Sequence, residues 1–294
     1  MSRSHSHGRT PAGRWTASLS TAGTGFGLAR AAYTLLGRTP PGGVETWART
    51  NHRGEQVTLL EGPAVAIATA GAALLAHGLP GRLRVAAAIA SLGAGGFGVL
   101  DDLAERGSSK GLRGHLGALR RGELTTGGVK ILGIGLTGLA AAALATPARA
   151  GQGRAGRTAD VVAAGALVAG CANLLNLFDL RPGRALKVGL LAAPAVLGGG
   201  PAAGVVAAAT GPAAALIGVD LAEQAMLGDA GANALGAVLG TALVAGAGRR
   251  TRLLALAGVL GLTLASEKVS FTKVIANTPG LRELDALGRR PAAR

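Results

Sequence analysis

Blocks of apolar residues, separated by short basic gaps, fill this sequence from about residue 16 to residue 266. Charged residues make up only 15% of the chain, whereas about 25% is usual in soluble domains. A segment that crosses a bilayer must be almost wholly apolar and must satisfy its own backbone hydrogen bonds, which favours helices. The blocks therefore predict an all-α fold, a polytopic transmembrane helical bundle of about 8–10 helices.

The block boundaries divide the chain into three parts. A polar, basic tail at 1–15 precedes the transmembrane domain at 16–266, and a C-terminal tail covers 267–294. The first block of the domain, 16–36, predicts only a weak helix because Arg30 interrupts it. The other candidate helices lie at 63–79, 83–100, 129–146, 159–177, 185–198, 202–219, 231–247 and 252–266.

Charge in the gaps predicts how the bundle is oriented. If the helices cross in alternation, the gaps on the side of 101–128, together with the C-terminal tail, hold 17 Lys and Arg residues, and the gaps on the other side with their flanks hold 8. Excess positive charge marks the cytoplasmic side. Fourteen of the fifteen acids belong to that same side, Asp160 being the exception. Such one-sided placement of carboxylates is typical of a site that holds a divalent metal.

The net charge of +15 does not predict nucleic-acid binding. A nucleic-acid surface needs a contiguous basic face, usually with stacking aromatic residues, whereas these arginines lie between apolar blocks, where they meet lipid headgroups. The single cysteine, Cys171, excludes an intramolecular disulfide and a cysteine-cluster metal site.

The first candidate motif is GFGVLDDLAERGSSKGL, residues 96–112. An apolar helix ends there in Asp101 and Asp102, so two carboxylates lie at the membrane boundary. Adjacent like charges are costly near lipid unless a cation offsets them, and Mg²⁺ takes oxygen ligands and shares itself with substrate phosphates. The alternative is an ordinary solvated helix end.

The second motif is CANLLNLFDLRPGRALK, residues 171–187. Asn173, Asn176 and Asp179 recur every three residues, so they share a helical face. Arg184 and Lys187 follow and could bind phosphate oxygens. The alternative is a helix-end cap with basic anchors.

The third motif is MLGDAGANALG, residues 226–236, in which Asp229 stands between two glycines before an apolar block. The glycines permit a tight turn and close approach by a ligand, although Asp is also a common helix cap. By contrast, ELTTGGVK at 123–130 lacks the order of a phosphate-binding loop. It favours a loop that enters a helix, with Lys130 at the boundary.

Together and in this order, these motifs resemble the polyprenyl-phosphate N-acetylhexosamine-1-phosphate transferases, a family that includes the enzyme making the first lipid intermediate of peptidoglycan. The matching stretches are GFGVLDD with the later KGL, NLLNLFD and GDAGANALGAVLG, with TNHRGEQV at 50–57 similar to the loop before the second helix of the family. The resemblance covers about residues 50–247. It implies transfer of a sugar-1-phosphate from a UDP-N-acetylhexosamine to polyprenyl phosphate, with release of UMP and with Mg²⁺ or Mn²⁺ as cofactor.

The resemblance also implies roles for individual residues. Asp101 and Asp102 match the paired aspartates, as base or lipid-phosphate contact and as metal-site residue. Asp229 matches a metal-binding aspartate, and Asn176 with Asp179 matches an element near the nucleotide and metal. Lys130 matches the lysine that opens the following helix, with Lys110 as a competitor.

The expected catalytic residues are thus Asp101, Asp102 and Lys130, and the expected metal ligands are Asp102, Asp179 and Asp229. The expected substrate-binding residues are Asn173, Asn176, Lys110, Arg184 and Lys187. The expected partners are the lipid phosphate, the UDP-sugar and the plasma membrane, with the active site on the cytoplasmic face and a homodimer left open.

Two other functions stay open at this point. Pro182 replaces the second acid of the family pattern, and residues 266–290 have no histidine where the family carries a histidine-rich motif. These departures favour a non-catalytic homologue that binds lipid phosphate or a partner. A transporter is the third hypothesis, but transporters place ionisable residues near the bilayer midplane, whereas these acids map to helix ends.

Overall fold

The computed structural model describes residues 11–104, 125–196 and 201–291. Nine long helices form the bundle in this part of the chain, together with three short helices and one two-stranded hairpin. The long helices are α1 (Pro11–Arg38), α3 (Glu61–Leu75), α4 (Gly81–Ala104), α5 (Thr126–Ala145), α6 (Arg154–Phe178), α7 (Arg184–Val196), α8 (Pro201–Leu221), α9 (Gly228–Gly246) and α10 (Arg249–Ser266). The short elements are α2 (Val44–Trp47), β1 (Ala48–Thr50), β2 (Gln56–Thr58), α11 (Phe271–Asn277) and α12 (Leu281–Ala286). The prediction of an all-α bundle is confirmed.

Each predicted apolar block forms one helix, and most ends lie within a few residues of the expected positions. Local sequence explains several of them. Thr125 precedes α5, and its hydroxyl accepts a hydrogen bond from the N–H of Gly128 at 3.0 Å, as an N-cap residue does. Residues 125–130 therefore lead into a helix as predicted, and residues 123–124 lie outside the described chain. Gly153 and Gly248 occupy the N-cap positions of α6 and α10.

The two tails differ from the prediction. Helix α1 begins at Pro11, inside the stretch expected to be a polar tail, and residues 1–10 lie outside the described chain. The C-terminal tail contains α11 and α12, which fold back onto the bundle. The polar composition of the C-terminal tail does not predict α11 and α12, because their stabilising contacts come from distant parts of the chain.

Helix α9 is the centre of the bundle. Every residue from Ala230 to Ala242 is buried, and the helix packs against α3, α4, α6 and α8. Most of its side chains are small. In lipid, small residues let helices approach closely, and this packing holds the bundle together. At Gly240, for example, an added Cβ would lie 3.0 Å from both the Cβ of Cys171 and the Cα of Val168, on α6.

Four helices are long and apolar enough to cross a membrane, namely α4, α5, α6 and residues Ala202–Leu221 of α8. Helix α10 and α11 would add a fifth span if taken together, with a bend of 92° between them. Helix α3 is apolar but short. The protein is therefore a multi-pass membrane protein. Within the described residues, no other helix of the bundle is by itself both long enough and apolar enough to cross a membrane.

The order of the helices gives the bundle two chemically different ends. Helices α4 and α6 end where α5 and α9 begin, so the acidic motifs of the sequence lie at one end. The opposite end contains the end of α5 and the starts of α6 and α10, with several arginines.

Candidate functional site

Three helices meet through Lys130 at the acidic end of the bundle. The ammonium group of Lys130, in the second turn of α5, lies 2.8 Å from Oδ2 of Asp101 at the end of α4. It also forms an ion pair with Oδ2 of Asp229 at the start of α9. The side chains are only 15% to 24% exposed, so the charges are largely removed from solvent. The fold thus brings together two expected catalytic residues, Asp101 and Lys130, and one expected metal ligand, Asp229.

Close backbone contact brings α9 to this point. Gly98 on α4 faces the first turn of α9, where an added Cβ would lie 2.6 Å from both Cα and N of Ala230. Gly228 begins α9 with φ of +60°, a conformation that favours glycine. Both glycines therefore serve a geometric need at the site.

Asp102 anchors the start of α9. Its Oδ1 accepts a hydrogen bond from the N–H of Asp229 at 3.1 Å, and its Oδ2 accepts one from the N–H of Ala230 at 3.0 Å. A carboxylate placed there satisfies backbone donors that a helix start leaves free and also complements the helix dipole. In this arrangement Asp102 orients Asp229, and its metal-binding and catalytic roles stay predictions.

Asp179 ends α6 within an acidic group that sequence reasoning only partly identified. Burial, followed by the negative charges of Asp220 and Asp102, raises the pKa of Asp179 well above its usual range, and a backbone hydrogen bond from Gly228 opposes the rise. Asp179 and Asp220 also interact electrostatically with Glu61. Asp179 is therefore within electrostatic range of Asp102 and accepts a backbone hydrogen bond at the start of α9.

Glu61 and Asp220 were not among the expected site residues. Glu61 is 0% exposed, and within the described chain neither of its carboxylate oxygens has a hydrogen-bond partner. Asp220 is buried and accepts a hydrogen bond from the N–H of Gly183 at 2.9 Å. In the sequence, both acids stand at the edge of an apolar block, which could have marked them as candidates. Only the fold shows that they interact electrostatically with Asp179.

The hairpin β1–β2 supports the loop before α9. Arg53 forms an ion pair with Glu223 at 2.8 Å, and the side-chain amide of Asn51 donates to the same carboxylate at 3.0 Å. Glu223 has a positive φ of 55°, a strained conformation that persists where the surroundings hold it. The N–H of Met226 donates to the carbonyl of Thr58 at 2.9 Å. The TNHRGEQV stretch thus helps to position Asp229.

Arg184 and Lys187 hold the C-terminal segment in this structure. Arg184 is buried and makes a two-pronged ion pair with Asp285 of α12, at 2.7 and 3.0 Å. Lys187 donates to the carbonyls of Leu284 and Asp285 at 3.2 and 2.8 Å. If Arg184 and Lys187 also bind substrate phosphate, as predicted, they must release the C-terminal segment or donate to both.

The remaining expected residues are less informative. Asn173 and Asn176 are half-buried on the last two turns of α6, and the carbonyl of Asn176 accepts a hydrogen bond from the N–H of Asp179 at 3.0 Å. Lys110 lies outside the described residues, so its competition with Lys130 stays untested. Lys130 itself occupies the position between two aspartates.

The acidic end of the bundle offers carboxylate oxygens, which are the ligand type that a hard divalent cation prefers. Among the described residues, no three carboxylate, imidazole or thiol side chains already form a common metal site. However, Asp101 and Asp229 converge on one ammonium group, which shows that this point favours a cation. Mg²⁺ commonly binds through one or two carboxylates and completes its shell with water and substrate phosphates. Asp229 and Asp101 would hold such an ion, with Asp179 nearby.

No protein-family model matches the chain, and no curated protein is significantly similar to it.

Proposed function

We propose that the protein transfers a sugar-1-phosphate from a UDP-N-acetylhexosamine-type donor to polyprenyl phosphate and releases UMP. The observation that carries the proposal is the convergence of Asp101, Lys130 and Asp229 at one membrane-boundary end of the bundle, beside Asp102 and Asp179. One substrate would be soluble and the other lodged in the bilayer, so a site at this boundary is accessible to both.

The reaction is a phosphoryl transfer. A phosphate oxygen of the lipid attacks the β-phosphorus of the donor, the bond from this phosphorus to the bridging oxygen breaks, and UMP leaves with the electron pair. Most catalysis of this kind comes from positioning and from neutralising charge. Mg²⁺, when bound, would offset negative charge on the diphosphate. Asp229 and Asp101 would position the ion, Lys130 would contact a phosphate oxygen, and Asp102 would keep Asp229 in register.

The proposed orientation places this site on the cytoplasmic face of the plasma membrane. The loops at the acidic end, together with the C-terminal tail, carry 17 Lys and Arg residues, whereas the loops at the other end with their flanks carry 8, and such excess marks the cytoplasmic side. UDP-sugars are water-soluble donors made in the cytoplasm, which is consistent with this orientation.

A second candidate function is binding of lipid phosphate or a protein partner without turnover. The observation that favours it is the engagement of Arg184 and Lys187 by the C-terminal segment, together with the lack of a histidine there. The retained acids and Lys130 favour the enzyme.

The experiment uses the full chain purified in detergent, with Mg²⁺, undecaprenyl phosphate and a panel of UDP-N-acetylhexosamines. We expect UMP release with at least one donor, and its loss in Asp101→Asn and Asp229→Asn. Glu45→Gln is the matched control, because Glu45 is an exposed acid of the short helix α2, and it should retain activity. No UMP with any donor would shift the proposal to binding without turnover.

A further inference from the structure

The end of the bundle opposite the acidic site carries four arginines around one buried carboxylate. Asp160, in the second turn of α6, forms ion pairs with Arg149 and Arg249, the latter at 2.9 Å. It also accepts a hydrogen bond from Gln152 at 2.7 Å. Arg157 donates to the carbonyls of Ala143, Thr146 and Pro147 at the end of α5. These contacts account for three of the four arginines.

The fourth arginine, Arg252, has two guanidinium nitrogens without a hydrogen-bond partner among the described residues. It is 7% exposed, and its Nε and Nη1 are buried with no hydrogen-bond partner in the part of the chain that the structure describes. Its electrostatic neighbours are Asp160, Arg149, Arg157 and Arg249, so the guanidinium lies within this cluster. A buried, unpaired charged donor is costly, which indicates that a ligand supplies the missing acceptors.

A second unpaired group and two helix starts lie beside the arginine cluster, where Arg157 donates to the carbonyl of Thr146. The hydroxyl of Thr146, whose residue is 1% exposed, is also buried without a partner in the described chain. Helices α6 and α10 begin beside the cluster, after Gly153 and Gly248, which provide no side-chain cap. The free N–H groups of a helix start favour an anion. All of these features favour a negatively charged ligand with several acceptor oxygens.

We propose that this arginine cluster binds a phosphate group, with Arg252 as its principal contact. The planar guanidinium matches two phosphate oxygens, and charge-assisted hydrogen bonds of this kind are strong. The source is either an anionic lipid headgroup or free phosphate. Exposed apolar side chains next to the cluster, Val162, Leu253 and Leu254, would accompany the acyl chains of a lipid.

This site is separate from the acidic site. Lys130 and the last residue of α5, Ala145, are about 22 Å apart along the helix at 1.5 Å per residue. In the proposed orientation, the arginine cluster would face the outer leaflet while the acidic site faces the cytoplasm. Phosphate binding here can therefore be tested whether or not the protein is an enzyme.

The test titrates the purified full chain in neutral detergent and measures its unfolding temperature. The three titrants are dioctanoyl phosphatidylglycerol, dioctanoyl phosphatidylcholine and inorganic phosphate. The variant is Arg252→Gln, and the matched control is Arg250→Gln, which removes an exposed arginine from the same helix turn. We expect saturable stabilisation by an anionic titrant, with affinity about ten- to a hundredfold weaker in Arg252→Gln because charge-assisted hydrogen bonds are lost.

Each outcome decides the proposal. Stabilisation by phosphatidylglycerol but not by phosphatidylcholine or phosphate identifies a lipid headgroup site, and stabilisation by phosphate identifies a free-phosphate site. Stabilisation by neither anionic titrant, or an equal loss in Arg250→Gln, overturns the proposal. If Arg252→Gln does not fold, Thr146→Val makes the same comparison with a smaller change, and the wild-type titration alone still shows whether the saturable site exists.

Discussion

Substitution of Gly98 by alanine tests how α4 and α9 assemble the acidic site. An added Cβ would lie 2.6 Å from Cα and N of Ala230, whereas carbon atoms in contact are about 3.5–4.0 Å apart. Helix α9 would therefore have to move by about 1 Å. Gly96, two residues earlier, is exposed, and an added Cβ there would meet no atom within 4 Å. Gly96→Ala is thus a matched control in the same helix.

The two variants should change stability in opposite directions. Overpacking costs about 1–3 kcal/mol, and replacing glycine by alanine inside a helix returns about 0.5–1 kcal/mol. The difference between these two ranges is about 0–2.5 kcal/mol, and from its middle we expect Gly98→Ala to lose about 1–2 kcal/mol of unfolding free energy, while Gly96→Ala should gain up to about 1 kcal/mol. In addition, Gly98→Ala should lower any UMP release by about a hundredfold, since a shift of about 1 Å at a reacting site can cost that much.

The single cysteine provides the assay. Cys171 lies on α6 against Gly240 of α9, so a thiol-reactive fluorophore added during heating reports when these helices separate. A loss of 1–2 kcal/mol should lower the unfolding temperature by about 2–8 °C. If Gly98→Ala melts with or above Gly96→Ala, the close approach of α4 and α9 is wrong.

Three further predictions concern the charged groups. Asp102→Asn should lower the unfolding free energy by about 1–3 kcal/mol, because asparagine offers one acceptor oxygen where Asp102 accepts two backbone hydrogen bonds, so one N–H at the start of α9 is left unpaired. Asp101→Asn should cost less, because Lys130 keeps its ion pair with Asp229; equal melting temperatures would contradict this. Lys130→Met should abolish UMP release while Lys130→Arg retains part of it, and full activity of Lys130→Met would remove this residue from the site. Burial would raise the pKa of Asp285, but hydrogen bonds and positive charge from Arg184 and Arg289 outweigh it and lower the pKa. Docking of the C-terminal segment is therefore fully stabilised above about pH 4 and weakens as the pH falls through the lower folded-state pKa. Hydrogen exchange over 271–286, corrected for the intrinsic effect of pH, should show this weakening in the wild type and not in Asp285→Asn; a pH-independent wild type would contradict it.

The helices could be predicted from sequence because the bilayer imposes a simple rule. An apolar block of sufficient length has no alternative to a helix in lipid, and residues such as Thr125 and Gly153 mark the ends. The start of α1 at Pro11 and the helices of the C-terminal segment could not be predicted in this way. These segments are polar, so their structure depends on tertiary contacts such as the one between Arg184 and Asp285.

The candidate site was only partly predictable for the same reason. Asp101, Asp102 and Asp229 each end or begin an apolar block, so their common membrane side followed from counting crossings. Their mutual geometry did not, because it depends on glycine contacts between helices far apart in sequence. Glu61 shows the limit most clearly. In the sequence it is one acid at the edge of an apolar block, and only the fold brings it within electrostatic range of Asp179 and Asp220.

The most direct test of the account follows the transferred phosphorus itself. UDP-N-acetylhexosamines labelled with ³²P at the β-phosphate are incubated with the full chain, Mg²⁺ and undecaprenyl phosphate, and the lipid is extracted. The account predicts label in the lipid with at least one donor, together with release of unlabelled UMP, and neither in Asp229→Asn. Label that stays wholly in the water phase with every donor would contradict the proposed transfer.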